Sequence, residues 1–179
     1  MTDEPNKEMV VTPWDVSGQI DYDQLIEQIG VSPMAKEIEE KIAEHAGFKH
    51  LQLRRGVYLS HRDTDWWIKE YEKGNKVGLY TGRGPSGHVH LGHLLPWFFC
   101  KYLQDAFDAD LYFQMTDDEK FLHRDDLTLE DAIGLTYENA LDVIACGLKP
   151  EKTHIFSDTD HISHLYKLGV KVAKRVTFS

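Results

Sequence analysis

Only two of the 179 residues are cysteines, Cys100 and Cys146, and both sit in apolar, helix-like sequence. They read as reduced core residues, which excludes a disulfide framework. Long apolar runs are also missing: the run over 94–100 ends at Lys101, well short of the roughly 20 residues that cross a bilayer. The opening MTDEPNKEM has neither the basic start nor the apolar segment of a secretory signal, so a cytoplasmic location with no membrane partner is expected. Basic residues are outnumbered, 20 Lys and Arg against 30 Asp and Glu, for a net charge of -10. A broad basic surface for gripping phosphate backbones is therefore not expected of this chain. Internal repeats and low-complexity linkers are absent as well. What is present, 41% hydrophobic and 11% aromatic residues, suffices for a real core in one domain or one domain with an appendage.

Taken in order, residues 1–20 suggest an extended arm docked through Trp14. Residues 21–29 place Leu25, Ile26 and Ile29 on one helical face, stopped by Gly30. Ser32 and Pro33 read as N-cap and first residue of a second helix, with Met34, Ile38, Ile42 and Ala46 at four-residue spacing up to Gly47. Ser60 and Asp63 have the spacing of a capping box for a third helix running to Gly74. The HRD at 61–63 lacks the downstream asparagine of a kinase catalytic loop, so capping is the favoured reading.

Beyond Gly74 the pattern becomes strand, helix, strand. Residues 77–81 form a short strand, and 91–107 a largely buried helix with Lys101, Gln104 and Asp105 as its exposed exceptions. Residues 110–116 form a second strand, and the pair with its helix makes a right-handed βαβ unit. Thr128 and Asp131 open a helix to Cys146, despite Gly134 within it; 153–156 is a third strand and 163–174 a helix. The expectation is an α/β fold: a small helical region over 1–74, then a doubly wound parallel sheet over 75–179, with ligands gathering at the strands' carboxyl ends.

Two motifs fall at those ends. GRGPSGHVHLGH follows the first strand and TDDEK the second. Gly82, Gly84 and Gly87 allow a ligand close to the main chain, and the following helix offers unpaired N–H groups and a positive dipole end. Arg83 supplies a planar cationic fork suited to phosphate. His90 and His93, three apart, share a face and can both donate to one phosphate, while Gly92 leaves open surface for a flat base. This is the outline of a nucleotide site, although neither GxxxxGK[ST] nor GxGxxG is present. A glycine-rich turn before a helix is also common with no ligand at all.

A rival reading takes His88, His90 and His93 as an HxHxxH zinc-hydrolase set. It lacks the aspartate expected before the last histidine, where Gly92 stands, and no second cluster of ligands is evident downstream.

HLGH at 90–93 resembles the HIGH signature of class I aminoacyl-tRNA synthetases. The runs LYTGRGPSG (79–87) and QMTDDEKFL (114–122) resemble the archaeal and eukaryotic type of tryptophanyl-tRNA synthetase. So do IDYDQLIEQIG (20–30), LRRGVYLSHRD (53–63) and ACGLKPEKTHIFSD (145–158), so the resemblance covers nearly the whole chain.

The resemblance implies the first half of a Rossmann-like parallel sheet and an activity that joins L-tryptophan to ATP, then passes the amino acid to tRNA(Trp). It implies that His90 and His93 are catalytic and touch ATP, that Gly82, Arg83, Gly84 and Gly92 line the nucleotide, and that Tyr80 and Gln114 hold the indole with Glu119 on the substrate's ammonium. The chemistry agrees, because an indole N–H is a lone donor on a large apolar body and a carboxylate suits an ammonium. The plainer reading of Asp117, Asp118 and Glu119 is a solvated loop that caps a helix. Mg²⁺ would neutralise the departing phosphates, no metal being held by the protein alone.

No lysine-rich KMSKS-like loop and no helical anticodon-binding domain occur in these 179 residues. The expectation is an N-terminal catalytic fragment, with tRNA contacts and the dimeric state of full-length family members resting on other parts. An open sheet edge and bare apolar helix faces would make such a chain poorly soluble or partner-dependent. A non-catalytic module that keeps the tryptophan and nucleotide pocket would show the same site residues.

Overall fold

A computed structural model describes residues 10–11, 16–17 and 21–176. The chain divides into two compact units, Met1–Gly74 and Asn75–Ser179.

In the first unit, β1 (Val10–Val11) pairs antiparallel with β2 (Val16–Ser17). The docking role expected of Trp14 lies outside the described residues. Helix α1 (Tyr22–Ile29) starts where the Asp21 carboxylate accepts the N–H groups of Asp23 and Gln24, and ends at Gly30 with φ 67°. That left-handed turn is the glycine stop the sequence predicts. Ser32 and Pro33 do not start a helix. They form β3, paired antiparallel with β4 (Ser60–His61), and the Met34 N–H continues the ladder to the Leu59 carbonyl at 2.9 Å. A residue before proline is biased to extended backbone, which suits Ser32 to a strand. Helix α2 (Lys36–Ala46) follows without a side-chain cap, burying Ile38 and Ile42.

A short α3 (Leu51–Arg54), capped by His50, has no counterpart in the sequence reading. Ser60 likewise is no cap: α4 (Thr64–Glu72) begins after Asp63, whose φ is 58°, and His61 Nδ1 accepts the Thr64 N–H at 3.2 Å. The expected serine capping box is replaced by a histidine cap because β4 engages Ser60 in pairing. Leu53 and Ile68 complete the buried hydrophobic side chains among the described residues of this unit.

The second unit alternates β5 (Gly78–Arg83), α5 (Leu91–Phe107), β6 (Asp110–Met115), α6 (Asp117–His123), α7 (Leu129–Ala145), a 3-10 turn at Pro150–Lys152, β7 (Thr153–Ser157) and α8 (Asp158–Ala173). The three strands are parallel in the order β5-β6-β7. This is the expected Rossmann-like α/β arrangement. The strand order follows chain order, however, so the reversal that defines a doubly wound sheet does not occur among the described residues.

Register places Tyr80 opposite Tyr112, Gly82 opposite Gln114 and Arg83 opposite Met115. Gly82 and Arg83 are thus strand residues rather than turn residues, because pairing with β6 carries β5 two positions past 81. The Thr128 and Asp131 capping box forms as the sequence predicts, and Gly134 does not interrupt α7. Helix α8 begins at Asp158, five positions before 163, because Ser157 Oγ caps the Asp160 N–H.

Trp97, Leu111, Phe113, Met115, Val143, Cys146 and Leu148 form the core of this unit, with Trp97 edge-on to Phe113 at 5.3 Å. That contact fixes α5 on β6. Gln104, expected at the surface, is fully buried: its Oε1 accepts the Lys149 N–H at 2.8 Å and its amide donates to Thr153 Oγ1 at 3.0 Å. It ties α5 to the entrance of β7, an interior polar contact that a hydrophobic pattern cannot reveal. Leu91, Leu95 and Phe98 are exposed instead, so α5 buries one side only. No helix among the described residues is long and apolar enough to cross a membrane.

Candidate functional site

The carboxyl ends of β5 and β6 carry the sequence-predicted residues to one place. From β5 come Tyr80, Gly82 and Arg83; from β6 comes Gln114; from the first turns of α5 and α6 come His93 and Glu119.

Strand geometry sorts the glycines by role. A Cβ on Gly82 would stand 2.6 Å from the Gln114 carbonyl oxygen, so only glycine lets β5 and β6 approach there. A Cβ on Gly84 would overlap the Lys120 side chain, which lies across that glycine and reaches Glu119 Oε1 at 3.1 Å. The open surface expected over Gly92 is occupied by the His90 ring, whose Nδ1 accepts the Gly92 N–H at 3.2 Å.

Arg83 is the hub. Its Nε donates to Asn139 Oδ1 at 3.0 Å, Nη1 lies 2.8 Å from His93 Nε2, and Nη2 reaches the Gly87 carbonyl at 3.4 Å. Burial pushes Arg83 below the ordinary guanidinium value, yet it remains a cation. Two of its five N–H groups are left for an incoming anion among the described contacts. Asn139 is itself 1% exposed and donates to the same Gly87 carbonyl at 3.2 Å, so α7 holds both the guanidinium and the turn. Arg124 Nη1 adds a second strap, donating to the Ser86 carbonyl at 2.9 Å.

His93 is held neutral. Burial, then the neighbouring Arg83 and His90, lower its pKa. Arginine can only donate, so Nε2 faces it as an acceptor, and a neutral ring has one acceptor nitrogen. The His90 N–H, 3.2 Å from His93 Nδ1, competes with that contact. The two imidazoles lie 3.7 Å apart between centroids. His88 points elsewhere: its side chain is 92% exposed and pairs loosely with Glu138 at 3.8 Å. Among the described residues no three His, Cys, Asp or Glu side chains converge as a metal-ligand set. The HxHxxH zinc reading is therefore not supported, since Arg83 and the helix N–H groups engage the imidazole nitrogens it needs.

On the other side of Gly82, the Tyr80 hydroxyl donates to Gln114 Oε1, and Gln114 Nε2 donates to Asp158 Oδ1 at 2.5 Å. Tyr80 is 69% exposed, so this pair forms an open half-pocket. Partial burial alone would raise Glu119, but the hydrogen bond and charge of Lys120, with Thr116 and His123, outweigh it and hold the carboxyl below its usual range. It is an anion facing outward.

The acidic triplet is no solvated loop. Asp117 is fully buried at the start of α6 and accepts both the N–H and the hydroxyl of Thr159, joining α6 to α8. Sequence reasoning also missed Asn139, Lys120, Arg124 and Asp158. Asn139 left a signal, one amide on the buried face of α7 beside Thr136 and Val143; the others left none.

The chain is similar to known proteins in both sequence and fold. The family model described as tRNA synthetases class I (W and Y) matches residues 72–176. The tryptophan–tRNA ligase of Saccharolobus solfataricus is 47% identical over 172 residues, 96% of this chain and 45% of that protein. The Pyrobaculum arsenaticum ligase is 46% identical over 97% of this chain and 46% of its own length. Among solved structures, the tryptophanyl-tRNA synthetase of Plasmodium falciparum superposes with a TM-score of 0.83 at 42% identity, covering 88% of this chain and 44% of that one. The Encephalitozoon cuniculi enzyme, bound to tryptophan, gives 0.82 at 37% identity, covering 88% and 47%. This chain spans about half the length of the curated relatives it matches. The chain belongs to the class I tRNA synthetases of the tryptophan and tyrosine group, and within it to the tryptophanyl-tRNA synthetases.

Proposed function

We propose that this chain binds L-tryptophan and ATP side by side and carries the chemistry of a tryptophan–tRNA ligase. One observation supports this above the rest: a polar pair suited to an indole, Tyr80 with Gln114, stands across Gly82 from the Arg83 and His93 pair suited to phosphate. In this reading Gln114 and Tyr80 receive the indole N–H, and Glu119 receives the ammonium. The substrate carboxylate attacks the α-phosphorus, the bond to the bridging oxygen breaks, and pyrophosphate leaves with that electron pair. No protein nucleophile is needed, so Arg83, His90 and His93 act by holding and neutralising the phosphates, with Gly82, Gly84 and Gly92 keeping the main chain close. When Mg²⁺ accompanies ATP, it supplies further neutralisation of the leaving phosphates. Transfer to tRNA(Trp), cytoplasmic location and the dimeric state belong to the same reading, through the length of the relatives that this chain does not span.

The test is tryptophan-dependent exchange of pyrophosphate into ATP, with the chain alone and mixed with the remaining part of a relative. Exchange in either case supports the ligase reading. Tight binding of both substrates with no exchange in either case would point instead to a non-catalytic binding module.

A further inference from the structure

We propose that Asp158 is a positioning residue that sets the hydrogen-bond polarity of the tryptophan half-site, by holding Gln114 so that its amide oxygen faces the ligand. This rests on the tryptophan reading above and adds the residue that decides which ring the site accepts.

Two contacts and the burial of Asp158 carry it. Asp158 is 9% exposed at the start of α8, where Ser157 already serves as the cap. Its Oδ1 receives the Gln114 amide N–H at 2.5 Å, and the Tyr80 hydroxyl donates to the other end of the same amide. An ionised carboxylate can only accept, so it dictates which end of the amide turns toward it. The oxygen must then turn toward Tyr80, and the Tyr80 proton is consumed on it. What the pair still offers is acceptor capacity alone: one lone pair on Gln114 Oε1 and those of the Tyr80 oxygen. A site of acceptors takes a ring with a single N–H and penalises one without it, which covers those acceptors on binding and leaves them unpaired. If Asp158 loses its carboxylate, the amide is free to turn over, Tyr80 can accept from it, and the Tyr80 proton points into the site instead.

Asp158 is held there against its own ionisation. Burial first, then Asp118 and Asp117 nearby, push its carboxyl above the ordinary range, against the Gln114 hydrogen bond.

The experiment measures, by calorimetry on the full chain, the affinity ratio of L-tryptophan to 3-(benzothiophen-3-yl)-L-alanine, which carries sulfur in place of the indole N–H and adds no substituent. The expected wild-type ratio is about 10-fold or more, the size of one hydrogen bond to a buried acceptor. Asp158→Asn brings it close to 1, as does Gln114→Met, and combining the two moves the ratio no further. The Gln114 side-chain amide resonances in a ¹⁵N spectrum shift in Asp158→Asn without ligand, and Gln114→Met keeps the test open should Asp158→Asn fold poorly. A ratio retained in Asp158→Asn, or a further change in the double variant, overturns the role of Asp158 alone. A wild-type chain that binds neither amino acid overturns the tryptophan reading itself, and this role with it.

Discussion

Arg83 Nη1 stands 2.8 Å from Nε2 of His93, so a cation at the end of β5 and an imidazole in the first turn of α5 form one unit. Neither group alone explains the other's state: burial, with the guanidinium beside it, keeps the imidazole neutral, and the imidazole leaves the guanidinium's charge unspent. Phosphate arriving between them would meet a fixed cation and a ring ready to take up a proton as negative charge grows.

Replacing His93 with alanine should therefore affect chemistry more than binding. Pyrophosphate exchange in the reconstituted assay is expected to fall about 100-fold, as for loss of one preorganised group facing developing charge. Tryptophan affinity should be unchanged, because Tyr80, Gln114 and Glu119 are untouched. Equal losses in both would remove His93 from the phosphate site.

The same pair predicts how stability responds to acid. The folded pKa of His93 is depressed below its ordinary 6.5 by burial, Arg83 and His90. A depressed group contributes stability that is present above the unfolded value and is lost as pH falls through it toward the folded one. Urea midpoints of the wild type should drop on going from neutral to mildly acidic pH. His93→Gln, which keeps an acceptor but cannot charge, should show a smaller drop; an identical acid limb would mean that other groups govern it.

Much of this was legible in the sequence because strands, helices and glycine stops are local. Helix α5 and the Thr128 cap of α7 stand where periodicity and capping chemistry put them. Ser32 and Ser60 went wrong for one shared reason: each has the chemistry of a cap, and each is claimed by pairing with the other's strand, a long-range event. The site divides in the same way. Arg83, His93, Tyr80 and Gln114 lie in recognisable runs, whereas Asn139 and Asp158 act on them from α7 and α8, 56 and 44 positions away along the chain. Only the fold makes those neighbours.

Asn139 is the more easily tested of the two for stability. It is buried, accepts from Arg83 and donates to the Gly87 carbonyl. Asn139→Ala leaves both without that partner and should cost about 1–3 kcal/mol by urea unfolding, the penalty for buried polar groups left unmatched. In a cycle with Arg83→Met the two losses should couple by about 0.5–3 kcal/mol. Simple additivity would mean that the Arg83 contact carries no energy.

Helix α8 exposes Ile162, Leu165, Tyr166, Leu168, Val170 and Val172 to solvent, and α7 exposes Tyr137, Leu141 and Ile144. Apolar side chains exposed in this number promote association. The chain should show concentration-dependent growth by light scattering and a broad thermal transition. Leu165→Glu with Leu168→Glu should shift it toward monomer. A sharp, cooperative transition in a monomeric wild type would contradict this.

Gly82 and Gly84 flank Arg83 and look equivalent in the sequence, but their substitution should fail in different ways. An alanine methyl at 82 meets the Gln114 carbonyl oxygen, which is backbone held by the sheet, so β5 and β6 must part. Overpacking of this kind costs about 1–3 kcal/mol. A methyl at 84 meets only the Lys120 stem, which can swing away. Its direct cost should be about 0.5 kcal/mol or less, the scale of an exposed ion pair. The consequence lies elsewhere, because a displaced Lys120 no longer holds Glu119 below its ordinary pKa. Gly84→Ala should therefore raise the Glu119 pKa in an NMR titration, and Lys120→Ala should do the same. In the Lys120→Ala background, Gly84→Ala should change neither stability nor that titration, whereas Gly82→Ala should remain as damaging as before. Relief of Gly82→Ala by Lys120→Ala would show that the two glycines share one constraint, which the pairing of Gly82 with Gln114 across the strands argues against.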